Sequence, residues 1–200
     1  MGIVPEHDFD DFTRNGQISP LCQSSTPYLY GVGKDNYVYR TTIPYGKWEQ
    51  RSWKGTSAEK IIVHDNIMYV LLINGHIRWS SAITAVTWER LVDDKKFIDL
   101  AYSRGYMYAL EHTGLIFRAK VLTKGCKEGQ SICTSGEWEN FTHGVVRRII
   151  IDDYDDKMFG IFSGKILRLE MKNAQGGWKE VTRDLDRMKD IAYHRGLGLA

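Results

Sequence analysis

Apolar residues along this chain come in stretches of four or five, or alternate with polar ones, and each stretch closes on a Gly-, Asn- or Asp-bearing break. Such stretches predict β-strands, because successive side chains of a pleated backbone point to opposite faces. Tyr28-Leu29-Tyr30-Gly31-Val32, Met68-Tyr69-Val70-Leu71, Tyr106-Met107-Tyr108-Ala109-Leu110 and Met158-Phe159-Gly160-Ile161 are the clearest. No segment keeps a helical period beyond about two turns. Asp184 to Lys189 suggests a single helical turn.

Each of these strands is followed by a turn residue and a second strand: Asn36 before Tyr37-Val38-Tyr39-Arg40, Gly75 before His76-Ile77-Arg78-Trp79, Gly114 before Leu115-Ile116-Phe117-Arg118, Gly164 before Lys165-Ile166-Leu167-Arg168. Gly and Asn tolerate the positive φ of a tight hairpin. Some way downstream stands a Trp followed by a charged residue: Trp48-Glu49, Trp88-Glu89, Trp138-Glu139 and Trp178-Lys179, at steps of 40, 50 and 40 residues. Upstream lies a short apolar segment: Leu21-Cys22, Ile61-Ile62-Val63, Leu100-Ala101, Ile149-Ile150-Ile151. Four strands per unit of about 40 residues is the make-up of a β-propeller blade.

The two ends carry fragments of the same unit. Ile191 to Ala200 matches Leu100 to Ala109 position for position, and Phe9-Asp10-Asp11-Phe12-Thr13 matches Trp138-Glu139-Asn140-Phe141-Thr142. The expected fold is therefore an all-β, five-bladed propeller in a single domain, 1–200. Its repeats fall at about 18–57, 58–97, 98–147, 148–188, and 189–200 completed by 1–17. Pairing the termini in the last blade, with 9–13 as its outer strand, would remove two open sheet edges. Four blades is the alternative if the terminal fragments form none.

Leu29 to Arg40 and Tyr108 to Arg118 resemble the core of the tectonin repeat, found in tectonins, fish-egg lectins and tachylectin-type propellers. The likeness runs over nearly the whole chain as a repeat pattern. Trp79 stands at the Arg position of its unit, and the turn at Gly164 is one residue shorter than the others. The resemblance implies a secreted or cell-surface, carbohydrate-binding propeller with several equivalent sites and no catalysis. It carries over no sugar-contacting residue.

Composition narrows the partner classes. A net charge of +2, with Lys and Arg scattered among acids, leaves no nucleic-acid footprint. No stretch approaches the roughly 18 apolar residues of a membrane span, and Met1 to Asp10 lacks the order of a signal peptide. The chain is then a mature secreted form or cytoplasmic. Cys126 and Cys133 share one Gly-containing insertion, a spacing compatible with a small loop disulfide in a secreted protein.

Candidate chemistry comes from aligning the first strands of the units. One column reads Ser24, Val63, Tyr102, Asp153, Tyr193; the next Ser25, His64, Ser103, Tyr154, His194; the next Thr26, Asp65, Arg104, Asp155, Arg195. His64, Asp65, Tyr102, Arg104, His194 and Arg195 are the expected ligand residues, with Trp53 and Trp79, which lie outside the periodic tryptophan column and so are released from its packing duty. If the protein is instead an enzyme, His64, Tyr102, Arg104, Asp153, Tyr193, His194 and Arg195 would supply acid–base groups at the channel mouth to a bound small molecule. Asp152, Asp153, Asp155 and Asp156 crowd one turn that could hold calcium, although it lacks the glycine and closing glutamate of an EF-hand. No nucleophile elbow, phosphate loop or zinc-protease helix occurs, and the expectation is a glycan- or small-molecule-binding module without cofactor.

Overall fold

The structure is a computed structural model and describes residues 9–11, 28–42, 46–52, 57–64, 67–81, 88–91, 95–121, 138–152 and 154–181. These residues form four antiparallel sheets of four strands each. Sheet one contains β1 (Phe9–Asp11), β2 (Tyr28–Gly33), β3 (Val38–Thr42) and β4 (Glu49–Gln50). Sheet two contains β5 (Ala58–His64), β6 (Ile67–Leu72), β7 (Ile77–Ser81) and β8 (Glu89–Arg90). Sheet three contains β9 (Phe97–Ser103), β10 (Tyr106–Glu111), β11 (Leu115–Lys120) and β12 (Glu139–His143). Sheet four contains β13 (Arg148–Asp152), β14 (Lys157–Phe162), β15 (Lys165–Glu170) and β16 (Lys179–Glu180). In each, the strands stand side by side in chain order, the up-and-down blade that the repeat predicts.

The turn residues explain the hairpins. Asn36, Gly75, Gly114 and Gly164 all have positive φ, at 62°, 84°, 88° and 78°. In sheet four, Phe162 pairs with Lys165 across Ser163 (φ 48°) and Gly164, so the loop has two left-handed residues, as a tight hairpin requires. Side chains cap the longer turns: Asp35 accepts the Tyr37 N–H at 3.1 Å, and Asn74 accepts the His76 N–H at 3.2 Å. The periodic tryptophans each stand one residue before the last strand of a sheet and are half-buried.

The chain forms two compact units, one with sheets one and two, the other with sheets three and four. In the first, Val32 and Val38 of sheet one pack with Ala58, Ile61, Met68, Val70 and Leu72 of sheet two, and Trp88 lies against this core. In the second, Tyr108, Leu110 and Ile116 of sheet three pack with Ile149, Met158, Leu167 and Leu169 of sheet four, and Trp178 lies against them. Trp178 sits over Gly144, where a Cβ would approach its Nε1 to 2.4 Å. Trp88 and Trp178 thus each lie against a core that two sheets share, whereas Trp138 lies 5.3 Å from the Phe97 ring of its own sheet.

One expectation about the termini is corrected. Phe9–Asp11 pairs with β2, Phe9 opposite Gly33 and Asp11 opposite Val32, at the edge that the first strand takes in the other sheets. It is not an outer strand of a last blade. A three-residue strand carries too little pattern to choose between two open edges, and the edge of β2 needs a partner for its backbone. Leu21-Cys22, expected at that edge, and residues 182–200, with the expected helical turn and the last repeat, lie outside the described residues. A 3-10 helix at Met171–Gly176, between β15 and β16, carries no signal in the strand pattern.

Candidate functional site

The turn cluster that the aligned columns single out is built from the second unit. Arg104 occupies the two-residue turn between β9 and β10, with φ of 46° beside Gly105 at 83°. Its guanidinium pairs with the Asp156 carboxylate and donates to the Tyr154 carbonyl at 3.4 Å. Lys172 also binds Asp156, at 2.9 Å. The Lys172 hydrogen bond, with the Arg104 charge behind it, holds the Asp156 carboxyl below its ordinary range. Tyr102 accepts the Gly105 N–H on its hydroxyl at 3.1 Å, which ties the same turn back to β9.

The acidic turn is occupied in the same way. Asp152 is buried at 3% exposure and accepts the Tyr154 N–H at 3.0 Å and the Asp155 N–H at 3.4 Å. Asp155 pairs with Lys157 at 2.8 Å, a hydrogen bond that lifts the Lys157 amine above its ordinary value. Asp152, Asp155 and Asp156 thus cap a turn and meet cations. Among the described residues no three His, Cys, Asp or Glu side chains converge as metal ligands do.

Other candidates separate. His64 ends β5 in the first unit and is half-buried. Trp79, expected to offer a face to a ligand, is 6% exposed inside β7, so its ring is core; standing at the Arg position of the repeat moves it into packing rather than out of it. Trp53, Asp65, Asp153, Tyr193, His194, Arg195, Cys126 and Cys133 lie outside the described residues.

A second constellation emerges from strand register. In sheet one, Tyr30 pairs with Arg40 and Arg40 with Glu49; in sheet three, Tyr108 pairs with Arg118 and Arg118 with Glu139. Opposed residues of neighbouring strands share a face, so each trio forms a ladder across three strands. Arg40 donates from Nε and Nη2 to Glu49 Oε2 at 3.2 and 3.1 Å, and its guanidinium lies 4.5 Å over the Tyr28 ring. Arg118 donates from Nε to Glu139 Oε1 at 2.5 Å and lies 5.2 Å over Tyr106. The tyrosine pairs match: Tyr28 and Tyr30 are 6.3 Å apart, Tyr106 and Tyr108 6.5 Å. Burial raises the Tyr30 phenol above its ordinary pKa, against an opposing hydrogen bond from Arg40.

Sheets two and four depart from the ladder, reading Tyr69, Trp79, Glu89 and Phe159, Arg168, Lys179 at the same register. The ladder's signal stands in the sequence as Tyr-x-Tyr, an Arg ten residues after the second Tyr, and the Glu after the periodic Trp. As fold markers these residues hide any second role.

No protein-family model matches the chain, and no curated protein sequence is similar to it. Solved structures are. A chain in the crystal structure of a nidogen/laminin complex superposes with a TM-score of 0.57 at 10% identity, over 76% of this chain and 59% of that one. Kluyveromyces lactis Hsv2 superposes with a TM-score of 0.50 at 13% identity, over 83% of this chain and 51% of that one. This chain thus spans between half and three-fifths of their lengths. With four-stranded blades and these neighbours, the protein is a β-propeller. Among its described residues no helix is long and apolar enough to cross a membrane.

Proposed function

We propose that this propeller is a recognition module that binds glycans, the ligand class that the tectonin resemblance implies, and that the tyrosine–arginine–glutamate ladders are where it holds them. The carrying observation is the repetition of one ladder in two blades with matched ring spacing and the same Arg–Glu pair. Core packing needs apolar volume there, not a half-exposed carboxylate beside an aromatic ring. Tyrosine rings offer a flat face to the C–H side of a sugar, and a carboxylate beside a guanidinium presents fixed polar partners to its hydroxyls. A fifth blade begun by 191–200, which match 100–109, belongs to the same proposal, with its outer strand drawn from elsewhere than Phe9–Asp11.

A second reading takes a polypeptide as the ligand, favoured by the likeness to a chain from a complex of two proteins, nidogen and laminin. Labelled protein on a glycan array tests the first, with the Tyr28→Ala/Tyr106→Ala double variant as control. Selective glycan retention that the double variant loses is the expected result. An array blank for both proteins, with display-selected peptides that bind the native chain and not the double variant, would replace glycan by polypeptide.

A further inference from the structure

We infer that the outer strands of sheet four form a docking site for a polypeptide partner, whose acidic side chain is held between Arg168 and Lys179 and whose neighbouring apolar residue rests on Val181. The site lies apart from the ladders of sheets one and three and does not rest on the glycan reading. Those ladders supply its template. In both, an arginine faces a glutamate directly across the last strand pair: Arg40 lies opposite Glu49 and Arg118 opposite Glu139, each guanidinium hydrogen-bonded to its carboxylate. Sheet four keeps the arginine and not the glutamate, since Arg168 lies opposite Lys179. Like charges directly opposed on neighbouring strands repel. The register that holds a carboxylate in two sheets thus presents two cations in the fourth.

Acids of the same sheet do not fill that register. Glu170, two residues along β15, brings Oε1 to 3.2 Å from Arg168 Nε, yet among the described residues this Nε makes no hydrogen bond. Glu170 also stands opposite Lys157, whose amine is paired with Asp155 at 2.8 Å. Glu180 alternates to the other face of β16 and pairs with Lys165 at 3.0 Å. Lys179 is exposed, and among the described residues no carboxylate is paired with it. An incoming carboxylate would take the place that Glu49 and Glu139 take, with a guanidinium on one side and an ammonium on the other. The occupant is a side chain of a polypeptide because exposed charges alone are screened by salt and hold a lone anion weakly. Val181 supplies the second contact. It follows Lys179 by two residues, so both share a face, its N–H donates to the Ile166 carbonyl at 2.8 Å, and it is 49% exposed. An extended partner with a glutamate at Arg168 and Lys179 carries its residue two positions away, about 7 Å along, past Val181.

The test follows fluorescence polarisation of labelled peptides that carry Glu-Ser-Leu, Gln-Ser-Leu or Glu-Ser-Ser in a Gly/Ser background, titrated with the full chain. Expected is saturable binding of the Glu-Ser-Leu peptide, with affinity about tenfold weaker for Gln-Ser-Leu and about threefold weaker for Glu-Ser-Ser. Affinity should fall as sodium chloride rises from about 50 to about 300 mM. Lys179→Glu should weaken binding about tenfold while its melting temperature holds or rises, because it restores the arginine–glutamate register of sheets one and three. Arg168→Gln should weaken binding to a similar extent, and Lys165→Gln, on the other face, should stay within about twofold of native. Equal affinity for the Glu and Gln peptides, native affinity in Lys179→Glu, or no saturation with any peptide overturns the site. Equal affinity for Glu-Ser-Leu and Glu-Ser-Ser overturns the Val181 contact. An oligogalacturonide that binds more tightly than the peptides, and loses its affinity in Lys179→Glu, overturns the polypeptide partner in favour of an acidic glycan. A blank glycan array leaves this site standing, and its failure leaves the glycan reading standing.

Discussion

Tyr39 shows how one side chain couples a turn to pH. It is buried in β3 and its hydroxyl donates to Asp35 Oδ2 at 2.5 Å, while Asp35 also accepts the Tyr37 N–H. Burial first, then this bond and the nearby carboxylate charge, push its pKa up to about 12 from 10.0. The fold therefore favours the protonated phenol, and its stabilisation is fully present below pH 10 and is lost as pH rises towards 12. Urea melts across that window should show native protein losing about 2–3 kcal/mol more than Tyr39→Phe, whose ring cannot ionise. Parallel pH profiles would mean that the Tyr39–Asp35 bond is not kept in solution. At this same scale the sequence is least legible. Arg104 and Asp155 read as members of one column, and Asp156 as part of an acidic turn, because charge clusters show in a sequence, but their partners Lys172, Lys157 and the Tyr154 carbonyl do not.

Strands and hairpins are far more legible, since alternation and turn chemistry are local. Asn36, Gly75, Gly114 and Gly164 can be read as turn residues directly, and each has the positive φ expected of it. Two glycines with nearly equal φ separate backbone strain from steric conflict. Gly105, at 83°, has nothing within 4 Å of where a Cβ would stand, so Gly105→Ala should cost only the left-handed backbone term, about 1–2 kcal/mol. Gly114, at 88°, would place a Cβ 1.8 Å from the Gly144 carbonyl oxygen, across the hydrogen bond that Gly144 N–H donates to the Gly114 carbonyl. Gly114→Ala must add displacement of β12 to the same strain, and should cost at least about 1 kcal/mol more than Gly105→Ala in chemical denaturation. Equal losses would show that the β11–β12 edge yields freely. What local pattern does not carry is strand partnership: Phe9–Asp11 reads as an outer strand from its likeness to Trp138-Glu139-Asn140, yet it pairs with β2, because edge choice depends on which neighbour lacks a partner.

The propeller architecture is legible at the scale of the molecule because a period survives substitution of most of its members. Which sheets share a core is not, since every blade has the same pattern. In the second unit the sharing is explicit: Asp99 of β9, fully buried, accepts the Ile149 N–H of β13 at 2.7 Å, and Arg148 donates to the Ile98 carbonyl at 3.1 Å. Tyr108, Leu110 and Ile116 bury their face only because Ile149, Met158, Leu167 and Leu169 lie opposite. A lone four-stranded sheet would leave that face, and the Asp99 carboxylate, open to water, and a sheet with one apolar face needs a second layer to be stable. The folding element is then the pair of sheets and not the repeat. A fragment of residues 96–147 should accordingly show poor NMR dispersion and no cooperative melt, although it contains a whole blade. Within the full chain Met158→Ala, at a fully buried site of this shared core, should cost about 2–5 kcal/mol and remove amide protection from β10 and β14 together. Protection lost from β14 alone, or a fragment that melts cooperatively, would make the single blade the unit of stability, and the ladder on sheet three would then not depend on sheet four for its order.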